Sequence, residues 1–216
     1  NPRIWAVGDS LTAGSGGTTG WAWRQHVGKM LTDAGVAFTS VGSVSSAATN
    51  WPNHWGRSGE SAANVEADMI ADGTIFTTAD PDIICLTPIG QNDINLGGSA
   101  NDARDAVDSL LTYIRGLTNG RGQTPRVVTA KVIGHRISDA TMTAFAGLMD
   151  AVYAAQTSAG LDLYVVEFRT GMRCPLTALL ADEQHPTDDG YRRIADAIFP
   201  ALMNAIGLDA EWGRAA

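Results

Sequence analysis

Five short runs of β-branched and aliphatic residues recur along the chain, each followed by a longer segment of amphipathic character. This alternation constrains the fold more than any other feature of the sequence. The runs are Arg3 to Val7, Ala37 to Gly42, Asp82 to Pro88, Arg126 to Ile133 and Leu161 to Phe168. The longer segments cover about Gly20 to Ala34, Ser61 to Ala71, Ala100 to Leu117, Asp139 to Ala159 and Asp188 to Ile206. Strands that are apolar on both faces and joined by helical crossovers predict a parallel sheet covered by helices on both sides, a three-layer α/β/α domain. No repeat, charge block or linker divides the sequence, so residues 1–216 are expected to form one domain. Ser43 to Asn53 is polar and rich in small residues, and reads as a long surface loop.

Punctuation is clearest before the last helical segment. Thr187 offers a capping hydroxyl, and Asp188 and Asp189 place carboxylates in the first turn, at the positive end of the helix dipole. Tyr191, Ile194, Ala195 and Ile198 then form one apolar face.

Composition narrows the function. Fifteen Lys and Arg against 23 Asp and Glu give a formal net charge of −8, which lacks the basic footprint that a nucleic-acid partner requires. No apolar run approaches the roughly 18 residues of a membrane helix, and Asn1-Pro2-Arg3 leads into a strand-like segment rather than a signal peptide, so the chain reads as soluble, with secretion compatible. Oligomeric state is not legible. Neither Cys85 nor Cys174 has a second ligand at metal spacing, and two buried free thiols or a single bridge both fit the sequence. No metal and no cofactor is expected.

Ligands of open parallel sheets bind beyond the carboxyl ends of the strands. Four such ends carry chemistry: Gly8-Asp9-Ser10-Leu11, then Gly56-Arg57-Ser58-Gly59, then Gly90-Gln91-Asn92-Asp93, and finally Asp182-Glu183-Gln184-His185. The glycine-rich stretch Gly8 to Gly20 does not fit a phosphate loop, since it lacks GxxxxGK[ST] and an intact GxGxxG. Nor is there a Gly-x-Ser-x-Gly elbow around Ser10. An acyl-transfer set fits instead: Ser10 as nucleophile, His185 as base, and Asp182 three residues earlier to orient the imidazole. The amides of Ser10 and Gly59 and the carboxamide of Asn92 are candidate oxyanion donors.

Gly8-Asp9-Ser10-Leu11, Gly59, Gly90-x-Asn92-Asp93 and Asp182-x-x-His185 occur in the order and rough spacing of the four signature blocks of the SGNH (GDSL-type) hydrolase family, which the chain resembles over about residues 3 to 206. The resemblance implies that Ser10, Gly59, Asn92 and His185 are the namesake residues, that Asp182 completes the triad, and that the five-stranded sheet is flavodoxin-like with order 2-1-3-4-5. Val41-Gly42-Ser43 and Gly56-Arg57-Ser58-Gly59 are most similar to the acetyl xylan esterase-like carbohydrate deacetylases, although Trp55 stands where that branch would carry an acidic residue. The implied substrate is a small acyl ester or an acetylated carbohydrate.

Plainer readings stand beside these. Ser10 alone could be a helix N-cap, Gly59 a left-handed turn residue and Asn92 an Asx turn. Asp9 and Asp93 are expected to brace the site through backbone hydrogen bonds. Glu183 and Glu167 compete with Asp182 as triad acid. Trp51, His54 and Trp55 could form a substrate platform or pack under their loop, His135 could touch substrate or lie on the surface, and His26 reads as structural. The competing activities are carboxylester, lipid or thioester hydrolysis, and a catalytically silent carbohydrate-binding relative.

Overall fold

A computed structural model of the chain describes residues 1–47, 49–87, 89–131, 139–166, 180–182 and 184–207. The elements in chain order are β1 (Arg3–Gly8), α1 (Ser10–Ala13), α2 (Trp23–Asp33), β2 (Thr39–Val41), β3 (Val44–Ser45), β4 (Asn53–Gly56), α3 (Ala62–Ala71) and α4 (Thr74–Ala79). They continue with β5 (Ile83–Thr87), α5 (Gln91–Asn95), α6 (Ala100–Arg115), β6 (Arg126–Ala130), α7 (Asp139–Ser158), β7 (Leu163–Val166) and α8 (Asp188–Ile206).

The five expected strands are β2, β1, β5, β6 and β7, paired in that order and all parallel, so the predicted 2-1-3-4-5 sheet is present. Two short strands enlarge it to seven among the described residues. β4 joins β1 in parallel where β2 leaves off, with Val7 opposite Trp55 and Gly8 opposite Gly56, and β3 pairs antiparallel with β4. The expectation of a surface loop over Ser43 to Asn53 is therefore corrected: the segment holds β3 and the first residue of β4. Two physical causes are visible. Gly42, at φ +138°, lets the backbone pass against His54 where a Cβ would meet its carbonyl. Trp51 and Trp55, both without exposed surface, draw the segment inward.

Period-two alternation along β1 divides the core. Ile4 and Ala6 join Trp23, Val27, Leu31, Cys85, Ile194 and Ile198 on the face covered by α2 and α8. Trp5 and Val7 join Trp55, Val65, Met69, Val107, Leu110 and Phe145 on the face covered by α3, α6 and α7. α8 buries Tyr191, Ile194, Ala195 and Ile198 as its spacing predicts, and Thr187 caps it by accepting from the Gly190 amide at 3.1 Å. Cys85 is a buried free thiol whose pKa burial pushes up; Cys174 lies outside the described residues.

Gly28 in α2 lies against the backbone carbonyl of Asn50, which a Cβ at this position would strike. A helical Gly→Ala change normally stabilises by about 1 kcal/mol, but displacing a packed backbone costs about 1–3 kcal/mol. Gly28→Ala is therefore expected to destabilise the protein and lower its thermal midpoint by a few degrees; a midpoint raised in a thermal melt would show that the clash is absorbed.

Candidate active site

The site is built where β1, β4 and β5 end at the same level, because Gly8 is paired with Gly56 on one side and with Thr87 on the other. The turns that leave these three ends carry Ser10, Gly59 and Asn92. Asp9 is the N-cap of α1, its Oδ1 accepting from the Leu11 amide at 2.9 Å, so Ser10 is the first helical residue and not the cap. α1 packs on Gly56, whose Cβ would lie 2.6 Å from the Ala13 nitrogen.

His185 reaches Ser10 from the segment before α8. Its Nε2 lies 3.0 Å from Ser10 Oγ, and its Nδ1 lies 2.8 Å from Asp182 Oδ2. The other oxygen of Asp182 accepts from the amides of Gln184 at 2.7 Å and His185 at 2.6 Å, closing a tight turn. The hydrogen bond from His185 holds the Asp182 carboxyl down at about 2, despite a side chain that is 57% exposed. An ionised Asp182 keeps the imidazole proton on Nδ1, which leaves the Nε2 lone pair facing the Ser10 hydroxyl. The arrangement can take a proton from Ser10 as Oγ attacks an electrophile. Glu167 and Glu183, the competing acids, lie outside the described residues.

Gly59 is exposed at φ +85°, with open space where a side chain would be. The Asn92 carboxamide is held at both ends. Its Nδ2 donates to the Glu60 carbonyl at 2.8 Å and to Asp9 Oδ2 at 3.4 Å, and its Oδ1 accepts from Asn95 Nδ2 at 3.3 Å. The carboxamide thereby bridges α5, through Asn95, to the Gly59–Glu60 segment, through the Glu60 carbonyl. Asp93 fastens the same segment from below, accepting from the amides of Ala62 at 2.8 Å and Ala63 at 3.3 Å. Burial raises the Asp93 carboxyl above its ordinary range in spite of these bonds.

The proposed aromatic platform is not there. Trp51 and Trp55 are fully buried, and His54 is 3% exposed with its Nδ1 accepting from the Gly56 amide at 2.9 Å. Burial holds the His54 imidazole down at about 4, so it is neutral and braces β4 rather than meeting a ligand. Of the two alternatives for these tryptophans the packing one holds: contacts with Trp23, Phe38 and Trp5 take both rings into the core. Arg57, two residues before Gly59, stacks its guanidinium 4.5 Å above the Trp55 ring and pairs with Asp68 at 2.6 Å. His135 lies outside the described residues. His26 packs edge-on against Trp21 with centroids 5.0 Å apart. Among the described residues, no group of three His, Cys, Asp or Glu side chains could hold a metal ion.

Two features escaped the sequence reading. Arg24 is buried, donating from Nε to the Thr12 carbonyl at 2.8 Å and from Nη1 to the Trp51 carbonyl at 2.7 Å, so it ties the end of α1 to the segment before β4. Burial lowers its pKa to about 10, which leaves it charged at neutral pH. The available signal was a charge at the i position of the apolar face Arg24, Val27, Leu31. The second is the glycine stretch itself: a Cβ on Gly16 would lie 2.6 Å from His185 Cβ, so glycine is needed there for the loop to pass over His185.

A parallel sheet with serine, imidazole and carboxylate in sequence at its carboxyl edge, beside amide donors, defines a serine hydrolase class. The family model described as the GDSL-like lipase/acylhydrolase family matches residues 6–193; the chain belongs to that family and is a serine esterase. No curated protein sequence matches the chain. Among solved structures it is similar to a carbohydrate esterase family 3 protein from Talaromyces cellulolyticus, at 26% identity over 96% of this chain and 99% of that one, with a TM-score of 0.79. It is similar to the same extent, 26% identity with a TM-score of 0.79 over 96% and 99% of the two chains, to an acetyl esterase mutant S10A with an acetate ion. The Clostridium thermocellum family 3 carbohydrate esterase shares the fold, at 23% identity over 94% of each chain and a TM-score of 0.73.

Asp9 supplies a pH test of this electrostatics. Burial raises its carboxyl to about 7 from an ordinary value of 3.8, with the Leu11 amide opposing and Asp93 adding to the rise. Between about pH 4 and 7 the folded state keeps a proton that the unfolded chain has released, so this group lowers stability as pH rises through that window. Asp9→Asn should become more stable relative to the parent between pH 4 and 7, by at most about 4 kcal/mol at roughly 1.4 kcal/mol per pKa unit. Urea denaturation of both proteins at several pH values checks it. A difference that does not change with pH would mean that Asp9 is ionised throughout. The depressed Asp182 acts with the opposite sign and only below about pH 4, so it does not mask the effect.

Proposed function

We propose that the protein hydrolyses short acyl esters, acetyl esters first, on carbohydrate, with Ser10, His185 and Asp182 as its triad. The observation that carries this reading is the continuous hydrogen-bonded line from Asp182 through His185 to Ser10, 2.8 and 3.0 Å. His185 Nε2 takes the Ser10 proton while Oγ bonds to the acyl carbon, and the carbonyl electron pair moves onto oxygen. That oxyanion is met by the amides of Ser10 and Gly59, and by Asn92 Nδ2 as it exchanges its long 3.4 Å contact to Asp9 for the new charge, donors that act on charge present only in the transition state. Collapse breaks the bond to the sugar oxygen, which leaves with the proton held by His185. A water then gives its proton to His185 as its oxygen bonds to the acyl-Ser10 carbonyl carbon, and the acyl–Oγ bond breaks with the proton passing from His185 to Ser10 Oγ, which releases acetate and restores Ser10.

The preference for a short acyl group rests on the surroundings. Residues Gly14 to Gly20 and Ser58-Gly59 border the site with small or polar side chains. The exposed large hydrophobics among the described residues are scattered in the chain: Ile70 in α3, Leu96 just after α5 and Val165 in β7. Each methylene buried in an acyl groove would gain about 0.8 kcal/mol, and a border of small and polar residues offers a longer chain little of that gain. The carbohydrate preference is supported by the 26% likeness to the Talaromyces cellulolyticus family 3 carbohydrate esterase. No helix among the described residues is long and apolar enough to cross a membrane.

Ser10→Ala should reduce turnover on an acetyl ester by on the order of 10³-fold or more with the fold retained, and near-parent turnover would overturn the mechanism. Separately, acetyl esters should be cleaved at least about tenfold faster than octanoyl esters in kcat/KM, with acetate released from acetylated xylan or acetylated sugars. Faster octanoyl cleavage without acetate release from any sugar would move the substrate class to carboxylesters or lipids and leave the triad in place.

A further inference from the structure

Ser10 and His185 are 175 residues apart in the chain, and their 3.0 Å approach depends on how two separate segments are held together. One is the loop from Gly14 to Gly20 that follows α1. The other runs from Asp182 into α8. The contacts between them centre on Asp188, the first residue of α8. Its Oδ1 accepts from the Thr18 amide at 3.0 Å, the Thr19 hydroxyl at 2.9 Å and the Thr19 amide at 3.3 Å, and its Oδ2 accepts from the Thr18 hydroxyl at 2.5 Å. One turn further on, the Tyr191 hydroxyl donates to the Ser15 carbonyl at 2.5 Å. Between these two anchors the backbone passes so close that a Cβ would lie 2.6 Å from His185 Cβ at Gly16 and 2.8 Å from Asp188 Oδ1 at Gly17.

Asp188 is not needed to cap its own helix, because the Thr187 hydroxyl already accepts from the Gly190 amide. Asp188, three residues after His185, instead spends its carboxylate on Thr18 and Thr19, eight and nine residues after Ser10. We propose that Asp188 is a positioning residue: by gripping Thr18 and Thr19 it sets the separation of Ser10 and His185, and so the rate at which Ser10 attacks. The inference rests on the esterase reading above and adds to it a residue that touches neither substrate nor the reacting atoms. Magnitudes favour geometry over stability as its role. Thr18 and Thr19 are exposed, and exposed polar contacts contribute little to folding, whereas a misplacement of about 1 Å at a reacting pair can cost on the order of 10²-fold in rate.

The test uses a probe that reports on Ser10 without a sugar or an acyl pocket. Diisopropyl fluorophosphate transfers its phosphoryl group to Oγ with loss of fluoride, and its rate constant reads the coupling of Ser10 to its base. Asp188→Ala should slow this labelling and the turnover of an acetyl ester by about tenfold or more each, with KM within about twofold and the thermal midpoint within a few degrees. The double variant Thr18→Val with Thr19→Val should reproduce the loss by another route, and Thr18→Ser with Thr19→Ser should keep the parent rate because both hydroxyls are retained. Asp102→Ala is the control for helix capping away from the site, since Asp102 completes a capping box with Ser99 on α6, and it should leave the labelling rate unchanged. Parent-rate labelling in Asp188→Ala and in the valine double variant overturns the proposal, as does an equal slowing in Asp102→Ala. Failure of the parent protein itself to be labelled at Ser10 is a different result, which overturns the esterase reading and this inference with it.

Discussion

The pairing of one β1 residue, Gly8, with Gly56 on one side and Thr87 on the other is the constraint on which the site depends. It brings three strands to an end at one level, so the turns bearing Ser10, Gly59 and Asn92 leave the sheet together. Achieving this requires β1 to change neighbours along a single edge: β2 pairs with Arg3 to Trp5, and β4 takes over at Val7 and Gly8. Arg57 continues the ladder by donating its amide to the Gly8 carbonyl at 3.0 Å. A slip of one residue in any of these strands would turn its side chains to the opposite face and separate the three turns.

Around this junction the protein buries charge that it could have left in water. Arg24 is satisfied by backbone carbonyls, Asp93 by backbone amides, and neither has an opposite charge as its hydrogen-bond partner among the contacts described above. Each therefore acts as a fastener between segments far apart in sequence: α1 with the Trp51 segment, and α5 with the start of α3. Asp9 is the most strained of the three electrostatically. Backbone amides and a long contact to Asn92 do not offset its burial, which raises its carboxyl to about 7. A carboxyl that is easily protonated costs less beside a developing oxyanion than one that must stay ionised, which fits the Asp9 environment to the chemistry proposed for Ser10.

Glycine has a different use on each side of Ser10. On the sheet side, Gly56 and Gly42 let backbones touch, at α1 and at His54. On the other side, Gly16 and Gly17 let the loop after α1 lie on His185 and Asp188. The same stretch lacks a phosphate-loop pattern, and at Gly16 and Gly17 close packing on His185 and Asp188 accounts for its glycines.

Sequence by itself determined the layers and the identity of the residues at the strand ends, and the order of the five expected strands came with the family resemblance those residues carry. These are legible because periodicity, chain polarity and strand-end chemistry are local properties: Ser10 next to Asp9, Asp182 three residues before His185, an apolar face along α8. Tertiary structure alone decided β3 and β4, the burial of Trp51, His54 and Trp55, the role of Arg24, and the grip of Asp188 on Thr18 and Thr19. Each of these depends on which distant backbone lies against a side chain. A tryptophan in a polar loop carries no local sign of whether water or Trp23 will cover it, and an aspartate at a helix start looks the same whether it meets its own amides or those of a loop some 170 residues away.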